Sequence, residues 1–121
     1  MNIEELQVIC KSNEAVTETV KWGNDLCFCI GEKMFLVVGL DQSPTSAAFK
    51  VLDEQFEEIS SREGFKPAPY TARYKWVMIN DINQMTKKEW QFYIEQSYSL
   101  VRDKLSVKIK NNLVLSKSKK N

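Results

Sequence analysis

Residues 26–40 read LCFCIGEKMFLVVGL, two apolar runs joined by Gly31, Glu32 and Lys33. Each run is rich in aromatic and branched side chains and too short for an independent helix. Joined by a short Gly-containing loop, they form the signature of a tight antiparallel hairpin. Upstream, TETVKW (17–22) has the same strand character, and Gly23-Asn24 turns it into the hairpin. Downstream, DQSPTS is a polar loop and AAFKV (47–51) a further short strand. The expected core is a meander of about four antiparallel strands.

Helical signals flank this meander. In NIEELQVICKS, Ile3, Leu6, Ile9 and Cys10 share one helical face, Asn2 can cap the helix, and Glu4 and Glu5 suit its positive end. Asp53 opens a second helix with Phe56 and Ile59 inward and Glu54, Glu57 and Glu58 as a solvated face; Gly64 stands where a terminating glycine belongs. The prolines of KPAPY (66–70) exclude helix. YKWVMI (74–79) then alternates Tyr74, Trp76 and Met78 against Lys75, Val77 and Ile79, as a strand would. Thr86 and Glu89 form a capping box, with Met85 and Trp90 as its hydrophobic staple. From Trp90 an apolar stripe through Tyr93, Ile94, Tyr98, Val101 and Leu105 keeps helical spacing. The expected fold class is α+β: a two-layer antiparallel sheet packed by helices, in the order α-β-β-β-(β)-α-β-(β)-α. Residues 1–115 read as a single domain and 116–121, SKSKKN, as a basic flexible tail.

Composition bounds the function. A chain of 121 residues, 43% hydrophobic, fits one globular domain. No apolar run approaches the roughly 20 residues of a membrane helix, and MNIEELQ lacks the basic start and apolar stretch of a secretory signal, so a cytoplasmic location and no membrane partner are expected. Cys10, Cys27 and Cys29 form no disulfide framework and, with no histidine in the chain, make a poor zinc set; they read as small apolar fillers. Without histidine no Ser-His-Asp or Cys-His arrangement exists, and the four isolated glycines build no phosphate loop. The chain reads as non-enzymatic, with no cofactor and no metal expected.

The net charge of +1 is unevenly spread: six lysines and no acid lie from Lys104 onward, which leaves 11 cations against 16 acids, or −5, on the rest. Any polyanion contact must therefore be local. KPAPYTARYKWVMIND (66–81) supplies the candidates, combining three cations with Tyr70, Tyr74 and Trp76. On a strand, Arg73 and Lys75 share a face opposite Tyr74 and Trp76; with the aromatic face inward, both cations project into solvent and can pair with phosphates. Lys21 and Lys50 sit within strands of the same sheet, Lys66 lies just upstream, and Tyr70 can stack on a base or sugar. The candidate nucleic-acid contacts are Lys21, Lys50, Lys66, Tyr70, Arg73 and Lys75. Trp22, Trp76 and Trp90 read as core residues.

The strings VKWGNDLCFCIGEKMFLVVGLD, FKV and REGFKPAPYTARYKWVMIND together resemble the MmcQ/YjbR family, over nearly the whole chain apart from the lysine tail. The specific elements are Trp22-Gly23, Lys33-Met34-Phe35, Phe49-Lys50-Val51, Pro67-Ala68-Pro69-Tyr70, and Arg73-Tyr74 before Trp76-Val77. The resemblance implies a compact α+β fold with a "double wing" arrangement, and DNA binding with Lys50, Arg73 and Lys75 among the contacts. A lysine at position 75, where related sequences often carry a histidine or another polar residue, favours a phosphate contact over acid–base chemistry. The partner expected on this ground is DNA, bound weakly and with strong salt sensitivity: four neutralised phosphates give a log–log slope of about −3.6. The alternative is a protein–protein interaction module of chaperone-like α+β fold. Its mark would be a contiguous exposed apolar patch.

Overall fold

The computed structural model describes residues 1–119, with side chains through residue 113. Helix α1 (Ile3–Lys11) starts where the sequence predicts: the Asn2 carboxamide oxygen accepts from the Glu5 amide at 2.8 Å. Strands β1 (Thr17–Lys21), β2 (Asp25–Ile30), β3 (Lys33–Gly39) and β4 (Ala47–Lys50) form the expected meander. A 3-10 turn (Asp53–Gln55) leads into the short α2 (Phe56–Ser60). Then come β5 (Phe65–Pro67), a 3-10 turn (Ala72–Tyr74), β6 (Trp76–Ile79) and a 3-10 turn (Ile82–Gln84). Helix α3 (Lys87–Asp103) and helix α4 (Val107–Lys119) complete the described chain. Every strand pair is antiparallel, in the spatial order β1-β2-β3-β4-β6-β5. The α+β class and the order of elements agree with the sequence reading.

Register assigns each strand residue to one of two faces. The row Val20, Leu26, Val38, Ala47, Ile79 and Phe65 crosses all six strands on one face, and Phe28, Leu36, Phe49 and Val77 form the row beside it. On this face lie α3 and the main core. A bulge makes the packing denser than strict alternation allows. Phe28 pairs with Leu36 but Cys29 with Met34, so Phe35 is the extra residue, and Phe35 and Leu36 are both fully buried. Phe35 meets the Tyr98 ring edge-on at 5.4 Å between centroids.

The α3 start follows the sequence closely. Thr86 Oγ1 accepts from the Glu89 amide and Glu89 Oε1 accepts from the Thr86 amide, each at 3.1 Å. Met85 and Trp90 are both in the core, and the indole N–H donates to the Ile82 carbonyl at 2.8 Å. The single long helix expected through Leu105 is instead two. Ser106 Oγ accepts from the Ile109 amide at 3.2 Å, a cap that starts α4 after a break at 104–106. The break lets Leu105 stay buried while Ile109 turns back onto the hairpin tip. A Cβ added to Gly31 there would lie 2.8 Å from Leu105 and 2.9 Å from Ile109. Of the expected basic tail at 116–121, the side chains and the last two residues lie outside the described residues. No helix among the described residues is long and apolar enough to cross a membrane.

Candidate functional site

The opposite face of the sheet has no helix over it among the described residues. Its central row is Thr19, Cys27, Val37, Ala48, Met78 and Lys66, one residue from each strand. Beside it stand Met34, paired with Cys29, and Trp76, paired with Lys50. Ala48, Ala68 and Trp76 form a small second cluster, against which Met34, Val37 and Met78 pack half-exposed. No helical residue joins this cluster. Over it lies a groove of about 630 Å³ with a mostly apolar lining.

Two loops wall the groove. One is the Trp22-Gly23-Asn24 turn that closes β1 onto β2; Trp22 (φ 54°) and Gly23 (φ 83°) are both left-handed there. The Trp22 side chain is 70% exposed and lines the groove, against the expectation that all three tryptophans pack inside. The other wall is Ala68 to Thr71. Prolines fix the backbone on both sides of Ala68, whose amide donates to the Trp76 carbonyl at 3.1 Å and pins the loop to β6. Tyr70 follows at φ 67° and is 99% exposed. A left-handed backbone costs a bulky residue roughly 1–2 kcal/mol. Trp22 and Tyr70 carry that strain without burying their rings. Asp25 is the one charged residue lining the groove; its carboxylate makes no ion pair or hydrogen bond among the described residues.

The predicted contact residues are distributed unevenly. Arg73 and Lys75 leave the strand on which alternation placed them: residues 72–74 form a 3-10 turn and Lys75 is left-handed at φ 66°. The expected facing of β6 is also reversed. Val77 and Ile79 enter the main core, and Trp76 and Met78 face the groove, because α3 packs on the Val77 side. The Arg73 guanidinium stacks 4.8 Å from the Tyr74 ring centre, and the Lys75 ammonium lies 5.1 Å from that of Phe56. Lys50 is only 9% exposed and its ammonium donates to the Tyr74 carbonyl. Burial holds its pKa below the usual lysine range, with the Lys104 and Lys75 charges adding to that and Asp53 opposing it. Lys50, Arg73 and Lys75 thus gather around Tyr74. Lys21 and Lys66 stand on the two edge strands, five strand spacings or about 24 Å from each other, so the six candidates do not form one patch.

The cysteines are buried and free. Burial pushes the Cys27 thiol up to about 11 and raises Cys10 and Cys29 as well, so none is a ready nucleophile. No group of three or more Cys, Asp or Glu among the described residues could hold a metal ion. Sequence reasoning passed over Trp22, Asp25, Met34 and Met78 as site residues. The available signal was a tryptophan placed before Gly23 in a tight turn, where a small or polar residue is the norm.

The YjbR family model matches residues 12–100. Two solved structures share the fold. One is the Deinococcus radiodurans protein DR2400, a DUF419 domain, at 19% identity and a TM-score of 0.80, with 93% of this chain and 87% of that one covered. The other is a Pseudomonas syringae protein at 17% identity and a TM-score of 0.68, with 84% of this chain and 99% of that one covered. No curated protein sequence matches.

Proposed function

The chain belongs to the YjbR family, and from that premise we propose that it is a non-enzymatic interaction module whose open sheet face receives an extended segment of a partner protein. The observation that carries this reading is the groove itself. Its floor is Met34, Val37, Ala48, Trp76 and Met78, uncovered by any described helix, and its walls are the exposed rings of Trp22 and Tyr70. An apolar concavity with a few polar groups at its rim is the usual form of a binding site. Aromatic residues in well-shaped pockets also carry most of the affinity at interfaces. Methionines on the floor adapt to side chains of different shape.

A phage-displayed library of eight-residue peptides, panned on the full chain, tests the proposal. Peptides should be enriched, and Trp22→Ala or Met78→Glu should abolish the enrichment. Phe92→Ala, which removes an exposed ring on α3, should leave it intact. No enrichment, or enrichment that survives Met78→Glu, overturns the reading.

A second reading, contact with DNA phosphates, is supported by one observation. Lys75 and Lys104 lie close enough to Lys50 for their charges to act on it, with Arg73 beside them on Tyr74. Arg73, Lys75 and Lys104, neutralising three phosphates, give a log–log salt slope of about −2.7. Anisotropy of a labelled duplex at two salt concentrations checks it. No salt-sensitive binding at tens of micromolar protein removes this reading.

A further inference from the structure

We propose that the segment bound in the groove carries a lysine or arginine side chain, whose cation sits against the Trp22 ring and within reach of the Asp25 carboxylate. This rests on the reading of the open face as a peptide groove and adds the chemistry of its occupant.

Three observations meet here. The groove is lined by three aromatic side chains, Trp22, Tyr70 and Trp76, whose ring faces attract cations. Among its lining residues the only formal charge is negative, on Asp25, and no lysine or arginine lines it. That carboxylate has no partner among the described residues, although Lys21 stands opposite it in register. The Lys21 ammonium lies instead 6.0 Å from the centre of the Trp22 ring, at the outer limit of cation–π attraction. An ammonium is thus already drawn to this ring face without settling on it. Within the groove an anionic segment would meet Asp25 and find its nearest cation outside the lining, at Lys21, and a neutral apolar one would leave the carboxylate without a partner. A long cationic side chain meets both demands, its methylenes on the apolar floor and its head at the wall.

The backbone supports a binding role for the two wall residues. Trp22 and Tyr70 both hold left-handed conformations, and neither ring is buried by the fold. Left-handed non-glycine residues recur at ligand clamps, and of the five among the described residues Trp22 and Tyr70 are the two that line the groove.

The test uses the peptides enriched on the full chain from the eight-residue library. They should share a lysine or arginine at one fixed position. In a synthetic copy of the most enriched peptide, lysine replaced by its uncharged isostere norleucine, or arginine by citrulline, should bind about ten-fold more weakly by fluorescence anisotropy. That difference should vanish on the Asp25→Asn protein. Lys21→Met, which removes a competing cation, should tighten binding of the cationic peptide, an effect that loss of structure would not produce. Enriched peptides without a shared cation, or equal affinity of the cationic and neutral copies, would overturn this inference while the groove reading stands. An absence of any enriched peptide removes both.

Discussion

The two faces of the sheet are built from the same strands and alternate residue by residue, yet they end in different physical states. Phe49 and Val77 point to α3 and are fully buried; Ala48 and Met78, one position away on each strand, point to an open groove. The covered face is stabilised by packing, with bulge, ring contacts and the Trp90 hydrogen bond all satisfied within the molecule. On the open face Ala48 and Trp76 are buried but Met34, Val37 and Met78 are only partly removed from water, and two left-handed aromatics stand at its edge. The contrast separates residues that serve the fold from residues whose placement the fold alone does not explain.

The largest effect expected on this contrast comes from the covered face. Trp90→Ala should destabilise by about 3–5 kcal/mol, since it empties a fully buried site and orphans the Ile82 carbonyl. Denaturant titration measures it, and a loss below about 1 kcal/mol would mean that the core is not centred on α3. Next is Gly31→Ala, at φ 56° and hard against Leu105 and Ile109. A cost of about 1–3 kcal/mol is expected, with hydrogen exchange accelerating first in α4. Uniform acceleration across the chain would show that α4 is not docked through this contact.

The third substitution has the opposite sign. Trp22→Gly relieves a left-handed backbone at an exposed site and should raise stability by about 0.5–1 kcal/mol, even as peptide binding is lost. Stability and binding moving in opposite directions would mark Trp22 as a residue kept for its surface. A net loss of stability would instead give it a structural role.

The smallest effect lies on the edge strand β1, where Glu18 pairs with Lys11 at 2.5 Å and accepts from Gln7 at 2.9 Å. These two bonds, Lys11 first, hold its carboxyl below the ordinary value of 4.5. The pair therefore contributes fully above that value, and its contribution is lost as pH falls through the lower folded pKa. Glu18→Gln should melt slightly below the parent chain near neutral pH, and the two should converge once the pH has fallen below the lowered folded pKa of Glu18. A gap that persists in acid would assign the difference to packing and not to charge.

Much of the fold was legible locally. The N-cap at Asn2, the capping box at Thr86 and the hairpin at 31–33 are short-range interactions between near neighbours, and each appears where its residues stand. The site was far less legible. Alternation along YKWVMI correctly divided its last four residues between two faces, but nothing in the string says which face a helix will cover. Lys75 was misplaced because a left-handed residue interrupts the strand, a conformation its side chain does not advertise. Lys50 occupies an outward strand position, yet its ammonium ends on the Tyr74 carbonyl, a partner 24 residues away.

The sequence by itself determined the α+β class, the element order and the helix starts, because periodicity and capping depend on residues within a few positions of one another. Only the tertiary structure decided which face of the sheet stays open, which cations meet around Tyr74, and that Trp22 and Tyr70 face one groove. Those outcomes depend on register and on where α3 packs, and both are set by contacts between segments distant in the chain.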